Sequence, residues 1–541
     1  MARYLKHAAQ AVATPPQSEP LNERQVRNSA GGYAYPVGKW VRLDRFLILG
    51  SEGGSYYASE RKLTLENAKG IEQCIKEDGI RVVERIVQIS DTGRAPKNDP
   101  ALLALAMCAG LGNGTTRAAA LDALPKVARI STHLFHFVDY VLQCRGWGRG
   151  LRTAILNWYV EKPVDKLADQ VTKYQQRDGW SHRDLMRLVH GKFTGQHQKI
   201  ARYVVKGEPN QFDEYPDRIY GHCQLQAAND AKSAASLIRQ YGLVRESVPT
   251  GLLKEKEVWA ALLEKMPLMA MIRNLGNMSK VGLLTPMSEA EKHVVTTIAN
   301  PELLRKARVH PIQVLMAAKG YESGMAASQY ANFRGDREQN TWSPCPRVVD
   351  ALDEAYYATF KNVEPTGKRF YLGLDISGSM WSGCVAGVNG LTPAVASGAM
   401  AMVTVKTEEK YYTAGFTSVM EKITLSPRQR LDDVLKVTNE MQRRMGSTDC
   451  AKPMLDAMAK KIPVDAFVIY TDSETWIGGV HPTQALEDYR QRMGIPAKLA
   501  VVGMVSNGFS IADPQDGGQL DVVGFDTSTP EILASFARGD V

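Results

Sequence analysis

The spacing of apolar residues changes at residues 363–368, VEPTGK, and this change most constrains what the chain can fold into. From about residue 63 to 330, apolar residues recur at helical spacing and strand patterns are nearly absent. After residue 368, short apolar strands alternate with amphipathic helices. Helices without strands must pack on other helices, whereas alternating strands and helices predict a parallel sheet covered on both faces. The sequence therefore predicts a multidomain protein with two architectures.

Oxygen-bearing side chains follow the predicted strands of the second part. Asp375, Ser377 and Ser379 come directly after the strand of RFYLGLDIS, Asp472 ends AFVIYTD, and Thr448 lies in GSTDC before a helix. Because the carboxyl ends of parallel strands share one edge, these side chains are expected at one place. Carboxylate and hydroxyl oxygens suit a hard cation such as Mg²⁺. Ser and Asp at such positions also cap helices, but so many oxygens at one edge favour a cation site.

The basic charge of the chain is confined to its first part. Residues 366–541 contain 17 Lys and Arg against 20 Asp and Glu, whereas the rest contains 49 against 38. The net charge of +8 is therefore an excess in the first part alone. Such an asymmetry indicates an anionic partner for that part, with nucleic acid first.

Two segments of the first part carry candidate RNA-binding side chains. In SHRDLMRLVH, Ser181 and Asp184 have the spacing of a capping box, which predicts a helix beginning near His182. Helical spacing then places basic side chains on one face and apolar ones on the other. The preceding helix is predicted to do the same. The set is Lys173, Arg177, His182, Arg183, Arg187 and His190. For a single helix, a solvated surface is the preferred explanation of such a face, whereas two adjacent basic faces together with the basic excess of the first part favour RNA.

A second basic cluster lies in CRGWGRGLR. Arg145, Arg149 and Arg152 recur at helical spacing, and the intervening glycines let the backbone approach a phosphate. Trp147 and His133 are candidates for stacking on bases, although a Trp in a helical protein more often belongs to the core.

Composition and cysteine spacing exclude several classes of protein. With 44% apolar and 23% charged residues the chain has an ordinary globular composition, and no apolar run approaches the ~20 residues of a membrane span. The seven cysteines are scattered without C-x-x-C spacing, which argues against a disulfide framework or a zinc site and favours a reducing compartment. The expected division is a flexible basic arm over residues 1–19, a helical part over 20–365 and a sheet domain over 366–541.

The predicted cation ligands resemble the metal-ion-dependent adhesion site of von Willebrand factor A domains. Asp375, Ser377, Ser379, Thr448 and Asp472 match each position of that pattern. The resemblance implies a doubly wound α/β fold of Rossmann-like topology and a Mg²⁺ ion whose shell is completed by a carboxylate of a protein partner. Such a site captures ligands and does not normally catalyse.

The first part resembles a narrower family. LNERQVRNSAGGYAYPV, FLILGSEGGSYYASERKLTLENA, VTKYQQRDGWSHRDLMRLVH, RVHPIQVL and NGFSIADP together are similar to the Ro ribonucleoprotein autoantigen family, in a bacterial-type member. That family joins a ring of HEAT-like helical repeats, the TROVE module, to a von Willebrand A domain. The resemblance implies binding of structured Y-like RNA, with Lys173 and His190 at the contact. It also implies capture of single-stranded 3′ ends of misfolded RNA, a quality-control role without catalysis.

Other expectations accompany this resemblance. The protein is expected to be a cytoplasmic monomer without a membrane partner, with a protein ligand such as an exoribonuclease at the metal site. Two alternatives stay open: a metal-dependent protein-adhesion scaffold, and a Mg²⁺-dependent hydrolase. The hydrolase would need a general base, and none is evident beside the carboxylates. The sequence leaves open which RNA and which protein are bound.

Overall fold

The computed structural model describes residues 15–52, 55, 57–207, 215–325, 341–360, 363–388, 391–444 and 446–540. These residues fall into two compact units. The sheet unit comprises the described residues up to Gln73 together with Arg94–Lys97 and Phe360–Val541, and the helical unit comprises Cys74–Gly93 and Asn98–Thr359.

The sheet unit is built around a six-stranded sheet with strand order β11-β9-β8-β5-β6-β7. All neighbouring strands are parallel except β6 and β7, which are antiparallel. Its strands are β5 Phe370–Asp375, β6 Tyr411–Phe416, β7 Met420–Lys422, β8 Ala466–Thr471, β9 Lys498–Gly503 and β11 Gln519–Val523. Its helices are α1 Lys39–Leu49, α19 Pro393–Thr407, α20 Leu431–Glu440, α21 Lys452–Ala459, α22 Pro482–Met493 and α23 Thr529–Arg538.

The two central strands, β5 and β8, are buried at every residue, as expected for a sheet covered on both faces. Successive strand residues point to opposite faces. Tyr371, Phe467 and Leu499 therefore share one face, where they join a core with Met454 of α21 and Leu486 of α22. Helix α19, buried over nearly its whole length, packs on β5 and β8.

An N-terminal segment belongs to the sheet unit. Strand β1, Val26–Arg27, pairs with β2, Tyr33–Pro36, and β2 pairs antiparallel with β10, Phe509–Ser510. Arg45 of α1 is fully buried, and its guanidinium donates to Asp521 at 2.5 Å. Residues 20–73 are compact with the sheet unit and not with the other helices, and the division at residue 365 stays a prediction.

The predicted flexible arm over residues 1–19 is corrected at its end. Residues 1–14 lie outside the described residues, but Gln17 is fully buried in the sheet unit. Its amide donates to the Asp449 carboxylate at 2.8 Å and to the carbonyl of Val480 at 2.6 Å. These contacts anchor the chain at Gln17, whereas the side chains of Pro16, Ser18 and Glu19 are exposed.

The helical unit is made of helices packed on helices. The long helix α2, Glu60–Asp91, begins in the sheet unit, departs from helical geometry at Asp78 and ends in the helical unit. The others are α3 Asp99–Leu111, α4 Gly114–Asp122, α5 Leu124–Val127, α6 Ser131–Cys144, α7 Arg149–Val160, α8 Val164–Lys173, α9 His182–Val189, α10 Gly195–Lys206, α11 Asp217–Gln226, α12 Ala231–Tyr241, α13 Lys256–Leu263, α14 Leu268–Lys280, α15 Glu289–Ile298, α16 Pro301–Lys306, α17 Pro311–Glu322 and α18 Pro346–Ala358.

Neighbouring helices of this unit pack directly on one another. Helix α3 is apolar on all sides and buried, which is why it packs between α4 and α6. Side-chain caps begin several helices, including Asn113 before α4, Asp230 before α12 and Ser288 before α15.

A short hairpin interrupts the helices. Strand β3, Gln176–Arg177, pairs with β4, Trp180–Ser181, around a turn in which Asp178 and Gly179 have φ of 52° and 78°. Positive φ at both central residues is the geometry that closes a two-residue hairpin. The sequence pattern did not predict this hairpin, because its strands are only two residues long.

The predicted fold class is confirmed: a helical unit joined in one chain to a doubly wound α/β sheet. The strands and helices predicted after residue 368 are all present, and the antiparallel edge strand β7 makes the sheet mixed. Within the described ranges, no helix is long and apolar enough to cross a membrane.

Candidate metal centre and candidate RNA interface

The predicted cation ligands lie at the carboxyl edge of the sheet. Asp375 is the last residue of β5, and Asp472 directly follows the adjacent parallel strand β8. Ser377 and Ser379 lie in the short turn after β5, and their hydroxyls are 3.2 Å apart. The main-chain N–H of Gly378 donates to the carbonyl of Gly446 at 3.1 Å, linking this turn to the loop of Thr448.

All five predicted ligands are buried. The exposed fraction is 0% for Asp375, 1% for Ser377, 6% for Ser379, 1% for Thr448 and 4% for Asp472. Such burial fixes the side chains before any ligand arrives, so the geometry needs little reorganisation on binding.

The two carboxylates are held by hydrogen bonds. Asp375 accepts the main-chain N–H of Ser377 at 2.9 Å and the Thr471 hydroxyl at 2.6 Å. Asp472 accepts the main-chain N–H of Glu474 at 3.1 Å. These partners orient the oxygens but bring no positive charge.

Electrostatics make this pair a fit for a cation. Burial raises the pKa of Asp375, and the charge of Asp472 raises it further; burial also raises the pKa of Asp472. Two buried like charges without a counter-charge are unfavourable, and a divalent cation would remove that repulsion. Over the described part of the chain, no group of three or more His, Cys, Asp or Glu could hold a metal, and the other oxygens near the two carboxylates are hydroxyls.

Two neighbours of the site were not predicted. Thr471 orients Asp375, and Glu474 is 3% exposed with its pKa raised to about 7 by burial and by the charge of Asp472. The main-chain N–H of Ala30 donates to Glu474 at 3.0 Å. The location of Thr471 and Glu474 at the carboxyl end of β8 could have indicated both residues from the sequence. The hydrogen bond from Ala30 could not be predicted, because the two residues are far apart in sequence.

In the helical unit, α9 matches its prediction. Ser181 and Asp184 form the capping box, and the helix begins at His182. Arg183 and Arg187 are exposed, whereas Leu185 and Val189 are buried. Neither arginine has a hydrogen-bond or ion-pair partner among the described residues. His190, exposed, ends the helix with a φ of 48°.

The prediction for His182 itself is corrected. Its side chain is 2% exposed, contacts the Tyr159 hydroxyl at 2.8 Å and packs edge-on against Phe135. Burial lowers its pKa to about 4, so the ring is neutral near pH 7. A neutral, enclosed ring does not contact RNA at the surface.

Lys173 and Arg177 do not share a helix, contrary to the prediction. Lys173 ends α8, is only partly exposed and pairs with Glu246 at 3.2 Å. Arg177 lies on β3 with 61% of its side chain exposed. The carboxylate partner of Lys173 reduces its positive charge at the surface.

The cluster of Arg145, Arg149 and Arg152 is also divided. Arg145 follows the end of α6, and its guanidinium donates to the carbonyl of Ala109 at 3.3 Å. Arg149 and Arg152 lie on α7 and are exposed. Of the two suggested stacking residues, His133 contacts the Asn98 amide and has its pKa lowered to about 3, mainly by burial.

Fold and site together define a class: a protein that joins a helix-on-helix domain to a von Willebrand A-type sheet with a candidate cation site at its carboxyl edge. Comparisons with known proteins agree. The TROVE domain model matches residues 26–241 and 240–368, and the Ro60 vWA domain model matches residues 369–537.

Two proteins named "RNA-binding protein RO60" are similar to this chain. The one from Deinococcus radiodurans is 42% identical over 530 residues, covering 97% of this chain and 98% of the relative. The one from Caenorhabditis elegans is 34% identical over 607 residues, covering 97% and 92%. The crystal structure of the Deinococcus radiodurans Ro (RSR) protein matches with a TM-score of 0.67 and 40% identity, over 93% of this chain and 100% of that chain. The chain belongs to the Ro ribonucleoprotein family.

Proposed function

We propose that this protein binds RNA through its helical unit. The observation that carries the proposal is the exposed face of α9, where Arg183 and Arg187 have no carboxylate partner among the described residues. Arg177 on β3 and His190 at the end of α9 add to this face. Guanidinium groups left free in this way contact phosphates and release counterions from the nucleic acid.

The RNA is proposed to be of two kinds. Structured, Y-like RNA binds at the face of Arg183, with Lys173 and His190 contributing. Single-stranded 3′ ends of misfolded RNA bind at the exposed Arg149 and Arg152 of α7. The protein is then a scaffold for RNA quality control. The names of its relatives, which are RNA-binding proteins, support the RNA-binding part of this proposal.

Native purification followed by extraction tests this proposal. Intact small RNA is expected to co-purify, and its release should follow salt concentration steeply because phosphate contacts dominate. Protein free of RNA, combined with no binding of added structured RNA at low salt, contradicts the proposal.

At the sheet edge we propose a Mg²⁺ site. Asp375 and Asp472 supply the negative charge, and the hydroxyls of Ser377, Ser379 and Thr448 supply neutral oxygens, some through water. When bound, the cation offers a coordination position to a carboxylate of a protein partner, for which an exoribonuclease is one candidate. No step of RNA binding depends on it.

A protein-adhesion role is the second candidate, and one observation favours it. The side chains of Trp476 and Ile477 are 38% and 45% exposed. Both residues lie next to the site, because their main-chain N–H groups donate to the carbonyl of Thr448 at 3.2 and 3.4 Å. Apolar side chains beside an open coordination position suit a protein ligand.

We propose that the protein is not an enzyme. In the described residues, no His or Lys hydrogen-bonds Asp375 or Asp472, so a general base for hydrolysis is not evident. RNA that remains intact during incubation with Mg²⁺ supports a binding role, whereas degradation supports a hydrolase. The free cysteines suit the reducing cytoplasm, and we propose a monomer there.

A further inference from the structure

Two tryptophans of the helical unit meet at its surface. Trp147 lies in the loop between α6 and α7, and Trp180 lies on strand β4 of the hairpin. Their ring centroids are 6.1 Å apart at an interplanar angle of 74°, and both side chains are partly exposed. In such an edge-to-face pair, the ring that presents its edge keeps both faces uncovered by its partner.

This pair differs from other tryptophans of the same unit. Trp158, Trp259 and Trp342 each donate the indole N–H to a main-chain carbonyl. No such partner is found for Trp147 or Trp180 in the part of the chain that the structure describes. The hydrogen-bonding needs of the pair are therefore not met by the protein core.

Arginine side chains lie on both sides of the tryptophan pair in the sequence. Arg177 is the cross-strand neighbour of Trp180 in the hairpin, and Arg149 follows Trp147 by two residues at the start of α7. Both arginines are exposed. A Cβ atom placed on Gly146, beside Trp147, would have no other atom within 4 Å. The main chain is therefore accessible to a ligand at this residue.

The carboxylates of this region are already engaged. Asp178, in the hairpin turn, contacts the imidazole of His136. Asp184 accepts hydrogen bonds from Ser181 in the capping box, with the main-chain N–H at 3.0 Å. Asp178 also lies 3.8 Å from the Arg177 guanidinium, whose side chain is 61% exposed, so the charge presented beside the indoles is mainly that of Arg149, with Arg177 partly compensated.

We infer that Trp147 and Trp180 form a stacking platform for an unpaired RNA base, whose flanking phosphates contact Arg149 and Arg177. The inference rests on the proposed RNA binding and goes beyond it. Indole faces stack on any base, and neighbouring guanidinium groups hold the backbone, which is how single strands are bound without sequence preference. The contact between the two tryptophans connects the basic face of α9 with the arginine cluster at the start of α7, which lie apart in the sequence. An RNA stem bound at the α9 face and the unpaired tail of the same RNA therefore occupy one continuous site.

The test measures the affinity of the full-length protein for three fluorescent RNAs at one salt concentration. One is a blunt stem, one carries a short 3′ adenosine tail, and one carries the same tail with abasic riboses. Trp180→Leu should weaken binding of the adenosine-tailed RNA by about tenfold. The variant should bind the blunt and the abasic RNA as the parent does, because those RNAs offer no base to stack.

Three further variants make the result specific. Trp147→Leu should behave like Trp180→Leu, and Trp180→Phe should regain most of the affinity because an aromatic face remains. Trp40→Leu, an equally large change at a partly exposed tryptophan of the sheet unit, should leave all three affinities unchanged. Thermal unfolding of each variant checks that the helical unit is intact.

The outcomes separate the two proposals. If the Trp147→Leu and Trp180→Leu variants bind tailed and abasic RNA with the same relative loss, or with none, base stacking at this pair is overturned. If the parent protein binds none of the three RNAs, the proposed RNA binding itself fails.

Discussion

The candidate metal centre and the candidate RNA interface are built in opposite ways. Asp375 and Asp472 are 0% and 4% exposed and are held by neighbouring hydroxyl and N–H groups. Arg177 has 61% of its side chain exposed, and Arg183 and Arg187 stand free of partners among the described residues. One site is buried charge in a fixed geometry, and the other is exposed charge on short elements.

This difference teaches what each site depends on. Buried carboxylates bind a compact ion at short range, where salt screens little and removal of one carboxylate removes half of the compensating charge. Exposed arginines bind an RNA through several separate phosphate contacts. Each contact contributes a small part of the binding free energy, and salt screens it strongly. The candidate metal centre should therefore lose the ion altogether when one carboxylate is removed, whereas the RNA interface should lose affinity in steps as single arginines are removed.

The largest effect is expected for Asp375→Ala. This change removes one of the two carboxylates of the proposed site, and Mg²⁺ binding should fall below detection in a calorimetric titration. Mg²⁺ should raise the thermal midpoint of the parent but not that of the variant, since only the parent holds the ion. Ser377→Ala, which removes a neutral oxygen, should only weaken binding.

RNA affinity is the control for that substitution. Asp375→Ala should bind structured RNA as the parent does, because the arginines of α9 belong to the helical unit. Unchanged Mg²⁺ binding in the variant would return Asp375 to the role of a helix-capping residue. A large change in RNA affinity would break the contrast between the two sites.

The next effect is that of Arg183→Ala with Arg187→Ala. Loss of two phosphate contacts should weaken binding of structured RNA by about thirtyfold and lower the slope of log K against log salt by about 2. Lys292→Ala with Lys306→Ala, in the same unit, makes the same change in net charge and should have little effect. Equal losses in the two double variants would indicate a non-specific charge effect instead of a defined face.

The helical unit also contains a buried titrating group, which sharpens the comparison. The pKa of His182 is lowered from 6.5 to about 4 by burial, so the unfolded chain binds more protons than the folded one between those values. Stability is therefore full above pH 6.5 and is lost as the pH falls, by about 2 kcal/mol at pH 5. His182→Gln should flatten this part of the pH profile of unfolding. An unchanged profile means that other groups cause the acid sensitivity.

The smallest effect separates two arginines of one predicted cluster. Arg145→Ala removes the hydrogen bond to the carbonyl of Ala109 and should lower stability by about 1 kcal/mol. Arg149→Ala, at an exposed position without such a bond, should leave the thermal midpoint unchanged and weaken binding of tailed RNA severalfold. The reverse pattern would assign RNA contact to Arg145 and a structural role to Arg149.

The fold after residue 368 was predictable because its signals are local. The central strands are continuous apolar runs and most of the helices are amphipathic, so the order of elements follows from periodicity. The proximity of Asp375 and Asp472 was predictable for the same reason: the carboxyl ends of β5 and β8 must meet at one edge once the strands are parallel neighbours. On α9, the capping box at Ser181 and the face of Arg183 also follow from spacing alone.

Other features required contacts between residues far apart in sequence. Helical spacing placed His182 among its basic neighbours, but packing against Tyr159 and Phe135 buried it. The burial of Gln17 and Arg45 depends on partners more than 400 positions away, such as Asp449 and Asp521.

The sequence by itself therefore determined which segments are helices and strands and which oxygens line the sheet edge, because periodicity and strand-end position act over a few residues. Only the tertiary structure decided which lysine and arginine side chains have partners among the described residues. Glu246 forms an ion pair with Lys173, and the carbonyl of Ala109 accepts a hydrogen bond from Arg145. The tertiary structure alone brought Trp147 to Trp180. The physical reason is that burial and charge pairing are set by whichever side chains the fold brings within a few ångströms, and spacing along one element carries no information about them.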